Sequence, residues 1–111
     1  MNWNTLNNTH ILDSIDQESK VSPVLIFKHS TRCSISSMAL NRIEANWNVE
    51  DDNLVKPYYL DLLEHRDISS EIENRYKLRH ESPQILIISD GLCLNSLSHT
   101  DISYTNIMEL L

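Results

Sequence analysis

Cys33 follows the polar, largely basic run Lys28-His29-Ser30-Thr31-Arg32 and is itself followed by Ser34. Before that run comes the unbroken apolar segment Val24-Leu25-Ile26-Phe27, and after it a helical pattern. A cysteine where a central strand passes into a helix N-terminus meets unpaired backbone N–H groups and the positive end of the helix dipole. A thiolate is stabilised there, and the thiolate is the nucleophile of thiol–disulfide exchange. Lys28, His29 and Arg32 add positive charge where they point toward the sulfur. The plain alternative is a small buried hydrophobe on the core face of a helix. The polar flank, Ser30-Thr31-Arg32 before and Ser34 after, argues against burial. Ser36 stands three residues after Cys33, giving Cys-x-x-Ser. A cysteine at that place resolves a mixed disulfide from within; a serine cannot, so an external thiol must clear Cys33. An ordinary first-turn serine gives the same spacing, so the motif is weak by itself.

The remaining reactive side chains show less pattern. Cys93 is the second cysteine, and no Cys or Cys/His spacing resembles a zinc site, so no metal is expected. His10 and His65 read as surface residues, whereas His80 lies in a loop that approaches the site. Asp61, Glu64 and Asp67 read as solvated charges near a helix cap rather than as an acid/base pair.

A chain of 111 residues fits one domain, residues 1–111, with a core large enough to need no staples. Hydrophobic residues make up 41%, which argues against disorder. Nine basic residues against sixteen acidic ones leave a net charge of −7, which disfavours nucleic acid and anionic membranes as partners. No apolar run approaches a membrane span, and Met1 to His10 lacks the basic start and apolar run of a signal peptide. The expected location is the cytosol, where thiols stay reduced and a Cys33–Cys93 disulfide is not expected.

These elements must position the cysteine. Met1 to Leu6 reads as an extended arm, and Asn8 caps a helix over 9–19 with Ile11, Leu12 and Ile15 on one face. Val24 to Phe27 reads as a strand covered on both sides, and Lys28 to Arg32 as a polar loop. A helix follows over 34–47, with Ile35, Ala39, Ile43 and Trp47 four apart. Residues 48–53 read as an acidic loop, 56–60 as a strand, and Asp67 as the cap of a helix carrying Ile68, Ile72 and Tyr76. Ile85 to Ile88 forms the next strand, Asp90-Gly91 a tight hairpin turn, and Leu92 to Leu97 its return. Thr100 or Asp101 caps a last helix bearing Tyr104, Ile107, Met108 and Leu111.

A strand–helix–strand unit is parallel and right-handed, and the closing hairpin is antiparallel. The order predicts an α/β fold, a mixed four-stranded sheet with helices on both faces, as in thioredoxin and glutaredoxin domains. In that fold Pro83, directly after Ser82, is a cis proline beside the cysteine; a trans proline opening a strand is the simpler alternative. The last strand then ends beside Cys33, which brings Ser98, His99, Thr100 and Asp101 to the active face. A helix N-terminus there can bind a carboxylate of a small thiol, although His99 fits a bystander's place equally well. Cys93 begins the same strand, far from that end, and suits core packing rather than resolution.

The stretch VLIFKHSTRCSIS (24–36), with His80-Glu81-Ser82-Pro83-Gln84 and Ser98-His99, resembles the YtxJ-like family of monothiol bacilliredoxins. The likeness runs from about Trp3 to Ile107, with Ser34 where familiar members have proline. The resemblance implies a thioredoxin-like fold, Cys33 as nucleophile and Pro83 as cis proline. It also implies bacillithiol as co-substrate and S-bacillithiolated proteins as clients. The expected activity is removal of bacillithiol from protein mixed disulfides by a monomer, with Ser30, Thr31 and Ser36 holding the sulfur and its loop. Two alternatives stand beside it: an iron–sulfur carrier, which Ser34 and Ile35 disfavour, and a non-catalytic stress or binding module.

Overall fold

The computed structural model describes all residues from Met1 to Leu111. Its sheet has five strands rather than the expected four, in the order β1-β3-β2-β4-β5. The added strand is β1 (Asn4–Thr5), which pairs in parallel with β3 (Lys56–Asp61). Two residues carry no readable alternation, and Leu6 anchors the arm by donating its N–H to Tyr59 O at 2.9 Å. Strand β2 (Val24–His29) lies parallel to β3 on one side and antiparallel to β4 (Gln84–Ser89) on the other. Strand β5 (Leu92–Ser98) returns antiparallel to β4 through the Asp90-Gly91 turn, both residues with positive φ.

The helices cover both faces. Helices α1 (His10–Glu18) and α4 (Arg66–Tyr76) pack Leu12, Ile15, Ile68 and Ile72 against Val24 and Ile26. On the opposite face, α2 (Ser34–Glu44) and α5 (Tyr104–Glu109) bring Ala39, Ile43 and Ile107 against Leu25 and Phe27. Residues alternating along β2 therefore feed two cores, as a strand buried on both faces requires.

Several local expectations are corrected. Strand β2 continues through Lys28 and His29, which were expected in a loop but are buried. They enter the sheet because each finds a polar partner: Gln84 for Lys28 and Ser36 for His29. Helix α2 ends at Glu44, leaving Trp47 buried just beyond it. Its inward face starts at Ser36, 0% exposed, and Ile35 is 50% exposed. A short helix α3 (Asp51–Leu54) replaces the expected acidic loop. Residue His65, not Asp67, precedes α4, and Asp67 lies in its first turn. The last helix is capped by Ser103, whose Oγ accepts the Asn106 N–H at 3.1 Å; Thr100 and Asp101 belong to a preceding 3₁₀ turn, His99–Asp101. No helix is long and apolar enough to cross a membrane.

Candidate active site

Cys33 is the residue that caps helix α2, in extended backbone geometry with φ −105° and ψ 120°. Its N–H donates to Ser30 O at 3.1 Å and its carbonyl accepts the Ser37 N–H at 3.0 Å. The thiol is free and half-buried. The N–H groups of Ser34, Ile35 and Ser36 have no backbone acceptor, so Cys33 stands at the end of an eleven-residue helix where unpaired donors gather, although its side chain makes no hydrogen bond to them. A developing thiolate is the natural recipient of that field.

Below the cysteine loop lies a buried polar pair. Ser36 Oγ accepts the Ser30 N–H at 3.1 Å and stands 2.6 Å from His29 Nδ1. The hydroxyl is thus held between the Ser30 amide of the loop and the imidazole of His29. Burial lowers the His29 pKa against the opposing pull of Asp61 and Glu44. The ring packs between Phe27 and Tyr59, each centroid 5.5 Å away. His29 thus acts on the site through Ser36 and the loop, not as the positive charge that its place in the sequence suggested.

The neighbouring Lys28 points to the other face, toward α4. Its pKa is lowered to about 8 by burial, with Glu73 pulling the other way. Lys28 Nζ donates to Gln84 Oε1 at 3.2 Å, and Gln84 Nε2 donates to Arg79 O at 3.2 Å. Gln84 also accepts the Glu81 N–H at 3.4 Å, so a buried amide shapes the loop that leads into Pro83. His80 of that loop hydrogen-bonds Ser69 Oγ at 3.1 Å on the α4 side, and burial holds its pKa down.

The Ser82–Pro83 peptide bond is cis, the isomer that the resemblance implies. The β2–β4 register pairs Lys28 with Gln84, so Pro83 is level with the end of β2 from which the chain runs to Cys33. His99 donates its N–H to Pro83 O at 3.1 Å, and Ser98 pairs with Gln84, so the end of β5 joins this side of the site. The helix N-terminus expected there is instead a three-residue turn. Its carbonyl at His99 and the carbonyl of Ile102 are held by the Arg42 guanidinium, at 3.3 and 2.9 Å. Ser82 Oγ is buried with no hydrogen-bond partner.

On the other flank, Cys33 opens onto a cleft of about 410 Å³. Ser30, Thr31 and Arg32 form one wall; Asp61, Glu64 and Arg66, from the end of β3 to the start of α4, form the other. Asp61 and Glu64, read from the sequence as plain solvated charges, therefore share a cleft with the nucleophile. No local spacing signals this, because the parallel pairing of β2 with β3 brings His29 level with Asp61 across the sheet. Cys93 lies at the far end, opposite Ile88, with its Sγ on Asn95 O at 3.4 Å. Burial raises its pKa.

The comparisons with known proteins agree with this geometry. The family described as monothiol bacilliredoxin BrxC matches residues 4–107. Among solved structures, one characterised by its thioredoxin fold superposes with a TM-score of 0.81 at 25% identity, covering 96% of this chain and 90% of that one. Thioredoxin from Fasciola hepatica gives 0.73 at 15% identity, with 95% and 92% covered. Thioredoxin from Malassezia sympodialis gives 0.74 at 16% identity, with 97% and 86% covered. The two thioredoxins share the fold of this chain.

Proposed function

The chain belongs to the monothiol bacilliredoxin family, and from that premise we propose that Cys33 removes bacillithiol from protein mixed disulfides. The observation that carries the reading is the placement of Cys33 on the lining of a cleft, at the N-terminus of α2, with Ser36 at the Cys-x-x-Ser position. In the first exchange, the Cys33 thiolate attacks the bacillithiol sulfur of a client. A Cys33–bacillithiol disulfide forms, the client disulfide breaks, and the client leaves as its thiolate. In the second, another low-molecular-weight thiolate attacks that disulfide and frees Cys33, leaving a small-molecule disulfide. Each exchange conserves the number of disulfides. Ser36, a buried hydroxyl already engaged with His29 and Ser30, offers no sulfur for internal resolution. Both steps suit a cytosolic chain acting as a monomer, with S-bacillithiolated proteins as clients.

Intact mass spectrometry of the protein mixed with a bacillithiolated client tests the proposal. The expected result is one bacillithiol on the wild type, none on Cys33→Ser, and a reduced client only with the wild type. A client that keeps its adduct while Cys33 stays bare overturns it.

A further inference from the structure

The cleft beside Cys33 carries charge of both signs. Arg32 and Arg66 bring guanidinium groups to it, and Asp61 and Glu64 bring carboxylates. None of the four belongs to any ion pair of the structure. Asp61 Oδ1 accepts only the Leu63 N–H, at 3.1 Å. Arg42 and Arg75, by contrast, are committed: Arg42 to the carbonyls of His99 and Ile102, Arg75 to Asp13, Asp16 and Glu71. Two uncommitted arginines thus stand next to the nucleophile in a chain of net charge −7.

Cys33 lines the same cleft, so whatever is joined to its sulfur by a disulfide must leave through that opening or along the Pro83 flank. On the Pro83 flank the Arg42 guanidinium is already held by two carbonyls, and the Lys28 amine is buried against Gln84. We propose that the cleft is the subsite for the body of the small thiol, and that it selects a thiol carrying both carboxylate and amine. Arg32 and Arg66 take the carboxylate by charge-assisted hydrogen bonds, and Asp61 and Glu64 take the amine. This inference rests on Cys33 being the exchanging thiol and names the partner chemistry of that same site.

Four symmetric disulfides test it: cystine (amine and carboxylate), dithiodipropionate (carboxylate only), cystamine (amine only) and hydroxyethyl disulfide (neutral). With each, the Cys33 thiolate displaces one thiolate and keeps the other half as a mixed disulfide, whose appearance intact mass spectrometry times. Each probe rate is divided by the hydroxyethyl disulfide rate of the same variant, which cancels any general change in thiol reactivity. The expected result is a wild-type ratio highest for cystine. Arg32→Gln with Arg66→Gln should lower the cystine and dithiodipropionate ratios about tenfold, and Glu64→Gln should lower the cystine and cystamine ratios several-fold. These residues are exposed, so the variants keep the fold. Equal wild-type ratios for all four probes, or ratios that the substitutions leave unmoved, overturn the subsite and leave the nucleophile standing. If no probe loads Cys33, the nucleophile reading falls and the subsite with it.

Discussion

Ser36 Oγ and His29 Nδ1 stand 2.6 Å apart, one on the first turn of α2 and the other at the last residue of β2, both residues buried. The pair spans the loop that carries Cys33, and the Ser30 N–H closes it from within that loop at 3.1 Å. The hydroxyl is therefore a positioning group for the nucleophile's backbone.

Replacing Ser36 with alanine strips the part-buried Ser30 N–H of its acceptor and the buried His29 Nδ1 of its partner. Leaving such groups unpaired destabilises by about 2 kcal/mol. Urea unfolding of Ser36→Ala should show that loss. Adduct formation on Cys33 should slow as well, because the loop no longer holds one geometry. A variant of unchanged midpoint and unchanged rate would show that the pair positions nothing.

The same burial sets an acid-side sensitivity. His29 and His80 both have lowered pKa values through burial, with Lys28 also depressing His80. Below the ordinary histidine pKa of ~6.5 the unfolded chain binds protons that the folded chain resists. Stability should therefore fall as pH drops through about 6.5, by at most about 1.4 kcal/mol per pH unit from His29 and by less from the exposed His80. Thermal melts from pH 7.5 to 5 should show a shallower fall for His29→Asn, which keeps a side chain able to meet Ser36. Parallel curves for the two proteins would assign the acid loss elsewhere.

Much of this site was legible in the sequence, for local reasons. Cys33 sits where an apolar run gives way to a helical pattern, and the Asp90-Gly91 turn fixes which end of β5 returns toward Pro83. The missed features depend on partners distant in the chain. Lys28 reads as a loop residue until Gln84 is seen to receive its amine inside the protein. His29 likewise requires Ser36. The fourfold apolar repeat of α2 placed Ile35 inward, but the helix is turned so that the hydroxyl of Ser36 faces the core and Ile35 faces water. Asp61, Glu64 and Arg66 reach Cys33 only through parallel strand pairing, which leaves no mark on local spacing.

An alkaline-side effect follows from Lys28, whose pKa of about 8 lies below the ordinary lysine value. Between pH 8 and about 10.5 the unfolded chain holds a proton that the folded chain has released, so stability rises with pH across that window. Lys28→Met has no such titration. The stability of the wild type relative to Lys28→Met should grow by about 3 kcal/mol from pH 8 to pH 10.5. Urea melts of both proteins across that range give the difference directly, and a constant difference would mean that the amine is as well solvated as a surface lysine.

The two cysteines should behave as opposites. Cys33 is half-buried at the N-terminus of α2, on the cleft. Cys93 pairs with Ile88, itself opposite Val24, and so lies at the other end of the sheet. Five steps of β2 separate those levels, about 16 Å at strand rise, whereas a disulfide needs Cα atoms within about 7 Å. Burial also raises the Cys93 pKa, which keeps its thiolate fraction low. Cys33→Ser should abolish disulfide exchange and Cys93→Ser should retain most of it, measured as client reduction under identical thiol supply. Loss of activity in Cys93→Ser with retention in Cys33→Ser would move the chemistry to the wrong end of the sheet and end the assignment.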